Sequence, residues 1–150
     1  MNLENFVGNF VVVILGFLAA RFDHKHFLIP NKYTGAIYLI LAYQSFKSGF
    51  GQNVLIYAVV VGMHFAIAYF FPSKFGMGDS KFIAALGLGF SSTHLFVFWL
   101  YLSYLIGSIH GIWLKIRSKS LRIPFGVSIY AAWVAIYMGE YAHVAMDYGW

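Results

Sequence analysis

Apolar residues gather into six runs divided by short polar segments: Phe6 to Ala20, Tyr33 to Phe46, Val54 to Phe71, Asp79 to Ser91, Leu95 to Leu114 and Val127 to about Ala145. Continuous apolar runs of this kind predict helices. Six helices of about 20 residues each need roughly 120 residues to cross a 30 Å hydrocarbon layer, so six spans fit into 150 residues only if nearly every loop is short. No room is left for a separate soluble domain. The expected fold is an all-α integral membrane protein, a six-transmembrane-helix bundle in which residues 1–150 form one membrane-embedded domain.

Composition supports this. The hydrophobic fraction is 61%, the mean hydropathy is +0.73, and only 10% of residues are charged, against about 25% in a soluble domain. A soluble protein with a single core is excluded. The absence of cysteine removes disulfides, thiolate zinc sites, haem attachment and a lipoprotein anchor. The net charge of +5 could suit nucleic acid, but the basic residues lie beside apolar runs instead of forming one patch. Membrane lipid is the expected partner, and nucleic acid is not.

The basic residues also orient the chain. The first run resembles a secretory signal in ending at Ala19 and Ala20, yet no Lys or Arg precedes it, Glu4 does, and Arg21, Lys25 and Lys32 follow. The positive-inside rule therefore makes it a retained helix with the N-terminus outside. The stretch Phe82 to Leu114 reads either as one kinked helix or as two helices broken at Ser91, Ser92, Thr93 and His94. With two, Lys115, Arg117, Lys119 and Arg122 join Arg21, Lys25, Lys32, Lys74 and Lys81 in the cytosol, so only Lys47 among ten basic residues lies outside. Both termini are then outside, along with Glu4, Glu140 and Asp147, in a multi-pass protein of the cytoplasmic membrane.

The two remaining acidic residues, Asp23 and Asp79, fall on the cytosolic side. The second and fourth runs are about 20 Å of helix, shorter than the hydrocarbon layer, which draws their cytosolic ends and these aspartates into partly apolar surroundings. Asp23 precedes a turn at Pro30 and Asn31. Asp79 follows Gly76 and Gly78, which free the backbone for tight geometry and for close approach of another segment. Two carboxylates meeting at a membrane boundary can share one proton. The ionised one then acts as general base on water and the protonated one polarises a carbonyl, which is aspartic peptidase chemistry. Structural readings compete with this. Asp79 suits the N-cap of the fourth helix, and Asp23 suits a loop carboxylate paired with Arg21 or Lys25. By chance, a Gly-x-Gly-Asp arises in roughly 3% of chains of this composition, and an Asp followed seven residues later by Pro-Asn in about 0.2%. Their joint presence on one side favours the catalytic reading.

With these segments in view, the chain resembles the type IV prepilin peptidases, membrane aspartic peptidases of the GxGD group. Asp23 with Ile29-Pro30-Asn31 resembles the family's first motif, Gly76-x-Gly78-Asp79-x-Lys81 its second, and Ile123-Pro124-Phe125-Gly126 more weakly the segment that opens the last helix. The resemblance implies Asp23 and Asp79 as the catalytic pair, with Gly76, Gly78, Lys81, Pro30, Asn31, Pro124 and Gly126 binding substrate or shaping the site, and no metal or other cofactor. It implies as substrate a prepilin-like protein cut after a short basic leader, typically following Gly. Bifunctional members carry a cysteine-paired cytosolic domain in the first loop and methylate the new N-terminus. Here that loop is about a dozen residues without cysteine, so a peptidase-only form is implied, as in tight-adherence pili, some plasmid pili and archaeal preflagellin processing. The basic cytosolic face is a poor match for a basic leader and is assigned to anionic lipid and topology.

Other residues carry weaker signals. His24, His26, His94, His110 and His143 are scattered without an acidic ligand at compact spacing, which disfavours a His-based metal site. His64, in mid-span, reads as hydrogen-bonded to another helix, and Gly107 with Gly111 as a close helix contact inside the bundle. Two functions of other classes compete with the peptidase. A small ion- or proton-coupled carrier would bind a cation at the two aspartates, and a non-catalytic membrane subunit of a pilus or secretion machine would need neither. The oligomeric state is not readable.

The orientation argument has a direct check in a chain without native cysteine. With Ser92→Cys and Ser118→Cys introduced singly, an impermeant thiol reagent should label the two from opposite sides of intact cells. Labelling from one side would make the fourth and fifth runs a single helix.

Overall fold

The computed structural model describes residues 3–49, 54–72, 75–118 and 123–147. Within them lie six helices: α1 Leu3–His26, α2 Asn31–Ser48, α3 Val54–Phe70, α4 Met77–Gly87, α5 Thr93–Ser118 and α6 Phe125–Asp147. The stops follow local chemistry. Helix α1 ends as Phe27 turns to a φ of 52°, its N–H bonding back to the Asp23 carbonyl at 2.8 Å, and Pro30 then caps α2 with a φ of −66°. Helix α2 ends at Gly49, whose left-handed φ of 82° lets its N–H reach the Phe46 and Ser45 carbonyls. Two helices form where the charge argument requires two, but the break covers 88–92, so Thr93 and His94 open α5 instead of lying in the break, and Ser92 caps α5 by accepting the Leu95 N–H at 3.3 Å.

Short α4 occupies the centre, packed by α2, α3 and α6, while α1 joins α2 to α6 and α5 leans on α6. Every residue from Phe82 to Gly87 is buried, as expected of a helix that meets protein on all sides. The Leu86 and Gly87 carbonyls at its C-terminus accept from the Gly89 and Phe90 N–H groups of the following turn at 3.1 and 3.5 Å, and neighbouring helices meet two more carbonyls at this end. The Tyr57 hydroxyl of α3 donates to the Ala84 carbonyl at 2.5 Å and Ser45 Oγ of α2 to the Leu88 carbonyl at 2.6 Å. Trp99 Nε1 of α5 donates to the Ile129 carbonyl at 3.1 Å, and the Tyr130 hydroxyl of α6 to the Val13 carbonyl at 2.7 Å. Gly107 faces the first residue of α6 and Gly111 the segment just before it, an added Cβ striking Phe125 and Ile123 respectively, so this pair is an internal seam.

The outer faces are apolar. Leu39, Phe10 and Ile112 are 71%, 60% and 61% exposed, the inverse of what a water-facing surface carries. Helix α1 over Glu4–His26 and α5 over Thr93–Arg117 are each long and apolar enough to cross a membrane.

Several expectations are corrected. Helix α2 has 18 residues, not 13 or 14, because its polar ends, Asn31 and Lys32 at the start and Lys47 and Ser48 at the finish, do not register as part of an apolar run. Helix α4 has only 11. The first connection is Phe27–Pro30, since α1 continues through the polar stretch to His26. Asp23 therefore sits within a helix and not in a loop. Lys47, the basic residue assigned to the outer side, bonds Glu4 at 2.6 Å at the end of the bundle opposite Asp23. Both side chains are exposed, so solvent screening leaves the pair contributing little. Lys74, Lys119 and Arg122 lie outside the described residues, as do the side chains of Glu140, His143 and Asp147.

Candidate active site

One end of the bundle collects the last turns of α1, the turn into α2 and the first turns of α4 and α6. Asp23 is 5% exposed. An isolated carboxylate at that depth would cost several kcal/mol, and the expected ion pairs with Arg21 or Lys25 do not form; both those side chains are exposed. Compensation comes instead from α6. The Gly126 N–H donates to Asp23 Oδ2 at 2.8 Å and the Val127 N–H also bonds this carboxylate. These are two of the donors that a helix N-terminus leaves without intrahelical acceptors. Pro124, buried ahead of them, has no side-chain acceptor to offer, so Asp23 supplies from α1 the cap that α6 lacks.

Asp79 solves the same problem within its own turn. The cap of α4 is Gly76, with no side-chain acceptor, and Asp79 is the third helical residue, not the cap itself. Its carboxylate reaches back to the Gly76 N–H, the second half of a capping box. Asp79 and Asp23 lie within electrostatic reach of each other.

Ile29 joins the two halves. It is 5% exposed and stands between the two glycine turns. A Cβ on Gly78 would meet Ile29 Cβ at 3.3 Å, and a Cβ on Gly126 would meet Ile29 Cδ1 at 2.7 Å and Asp23 Oδ2 at 2.9 Å. A Cβ on Gly76 would lie 2.9 Å from Asp79 Oδ2. The three glycines thus allow backbone to press on Ile29 and on the carboxylates themselves. On the rim, Lys81 Nζ donates to Asn31 Oδ1 at 2.9 Å, tying the first turn of α4 to that of α2. Asp23, Asp79, Gly76, Gly78, Lys81, Pro30, Asn31, Pro124 and Gly126 therefore meet at one end of the fold.

A model of the type IV leader peptidase family matches residues 10–112. The chain belongs to that family. Neither a curated protein nor a solved structure matches it. The match ends before Pro124–Gly126, so this third segment of the leader peptidase chain joins the site through geometry: its Gly126 N–H holds Asp23.

Sequence reasoning missed three contributors. The Val127 N–H and the central contact of Ile29 arise from packing between distant segments and leave no local pattern. Tyr104 had a faint signal. It is a hydroxyl on an apolar helix, and the His64 already expected to bond another helix finds it, with Nε2 2.7 Å from the Tyr104 hydroxyl.

The cap reading gives an expected outcome for stability. Asp23→Asn keeps an acceptor oxygen and should melt in detergent close to the parent. Asp23→Ala strands the buried Gly126 N–H and should lose about 1–3 kcal/mol. Equal melting of all three proteins would mean that Asp23 does not cap α6.

Proposed function

We propose that this chain is a membrane aspartic endopeptidase that removes the short basic leader from type IV prepilin-like precursors at the cytosolic face of the cytoplasmic membrane. Membership in the leader peptidase family supports peptidase activity on a protein of prepilin type. The observation that carries the catalytic assignment is the pairing of Asp23 and Asp79, each held by a helix N-terminus and within electrostatic reach of the other.

In this reading each carboxylate has one edge engaged by backbone N–H groups and keeps lone pairs for water and substrate. One aspartate is ionised and takes a proton from a water molecule as its oxygen attacks the scissile carbonyl carbon. The other is protonated and donates to the carbonyl oxygen, giving a neutral tetrahedral diol. Return of a proton to the amide nitrogen, with the hydroxyl proton passing back to the carboxylate, breaks the C–N bond and restores the shared proton. The apolar exterior and two long apolar helices support a bundle in lipid, with both termini outside and the basic residues on the cytosolic side against anionic lipid. Lys81, Asn31 and the glycine turns shape the site, and no cofactor takes part.

The experiment is cleavage of a co-expressed prepilin by membranes containing the protein. Cleavage should proceed after EDTA and without ATP or reductant. Asp23→Asn and Asp79→Asn should each accumulate like the parent and cleave none, since Asn keeps the acceptor of a cap but cannot hold or release a proton. Substantial cleavage by Asp79→Asn alongside an inactive Asp79→Ala would reduce Asp79 to a structural role. EDTA inactivation reversed by zinc would contradict the mechanism.

A further inference from the structure

His64 and Tyr104 stand in α3 and α5, two helices that do not pack closely along their lengths, yet a hydrogen bond of 2.7 Å joins them. The ring orientation is set from behind. His64 Nδ1 lies 2.7 Å from the Val60 carbonyl, which can only accept, so in the neutral ring Nδ1 carries the proton and Nε2 accepts from the Tyr104 hydroxyl.

The two rings belong to a closed circuit of four. His64 packs on Phe75 with centroids 5.7 Å apart, Phe75 meets Phe125 edge-on at 5.9 Å, Phe125 packs on Tyr104 at 5.2 Å, and Tyr104 returns to His64 at 6.0 Å. Phe75 immediately precedes Gly76, whose N–H holds Asp79, and Phe125 immediately precedes Gly126, whose N–H holds Asp23. Ser80, next to Asp79, donates to the His64 carbonyl at 3.0 Å. Tyr104 is also within electrostatic reach of Asp79. Each aspartate is thus joined to this circuit by one hydrogen bond to the residue that follows a ring, and the circuit closes through the His64–Tyr104 hydrogen bond.

We propose that the His64–Tyr104 hydrogen bond is a positioning latch that, through the Phe75 and Phe125 rings, sets the Gly76–Asp79 turn against the Pro124–Gly126 turn and so fixes the spacing of the two carboxylates. His64 and Tyr104 are positioning residues and do not touch the reacting atoms. The inference rests on Asp23 and Asp79 being the catalytic pair. Because the latch acts on alignment, its loss slows the chemical step more than it weakens substrate binding.

The test is steady-state cleavage of a purified prepilin by the parent, Tyr104→Phe, His64→Phe, the double variant and Asp79→Asn, with melting in detergent measured on each. Both single variants keep an aromatic ring; Tyr104→Phe loses only the hydrogen bond between the two side chains, and His64→Phe loses with it the Nδ1–H bond to the Val60 carbonyl. Each is expected to lower kcat about tenfold with KM within about twofold, and the double variant to lower it no further, since the two groups act as one unit. A Tyr104→Phe protein that cleaves at the parental rate, or one that changes only KM or only melting, overturns the latch while an inactive Asp79→Asn leaves the catalytic pair standing. Losses that multiply in the double variant overturn it too. Cleavage retained by Asp79→Asn overturns the pair and the latch with it. Tyr104→Phe removes a single oxygen and decides the matter alone should His64→Phe fail to accumulate.

Discussion

A carboxylate in a nearly dry site must be compensated, and the identity of the compensating group decides what the carboxylate can do. A buried lysine or arginine would pin Asp23 as a permanent ion pair. Here the partners are backbone N–H groups from the first turn of a helix that begins a hundred residues later, which stabilise charge without a competing cation and without a titrating partner. That bond also closes the fold, because it draws the last helix onto the first. Once α6 is anchored on Asp23, Phe125 and Gly126 are placed, Ile29 is enclosed, and the Gly78 turn of α4 has the surface it packs against.

The glycines take their meaning from this enclosure. Gly76, Gly78 and Gly126 each face an atom so near that a methyl group would displace a carboxylate or Ile29, whereas Gly35 in α2 faces open space. Close approach is needed where two segments from different parts of the chain meet on one side chain. The short α4 fits the same logic: its 11 residues, buried from Phe82 to Gly87, raise its first turn to the level of the site while carbonyls at its C-terminal end are tied to α2 and α3.

Much of this architecture is legible in the residues alone. The apolar runs marked all six helices, the basic residues separated α4 from α5, and Asp23, Asp79 and their neighbouring glycines and proline stood out by spacing. The rest was hidden for physical reasons. Hydropathy sees apolar stretches, so the polar ends of α2 and the polar last turns of α1 carry no helix signal although they are helical. A cap supplied from another helix has no local pattern, which is why Asp23 looked like a loop carboxylate in search of a cation. Asp79 offers itself as a cap alongside its catalytic reading because the glycine that holds that position carries no side chain to announce it. Tyr104 was lost among eleven tyrosines, most of which sit in apolar helices where a ring needs no special explanation.

The central claim is that two aspartates from the first and fourth helices face each other across one small site. A chain free of native cysteine permits a direct measurement. With Asp23→Cys and Asp79→Cys combined, a short bifunctional thiol reagent applied to membranes should bridge the two positions within one chain, and Asp23→Cys combined with Ser92→Cys at the far end of the bundle should not bridge. Bridging by the first pair and none by the second is the result expected. Two thiols at positions 23 and 79 that each react singly yet never join would contradict the account.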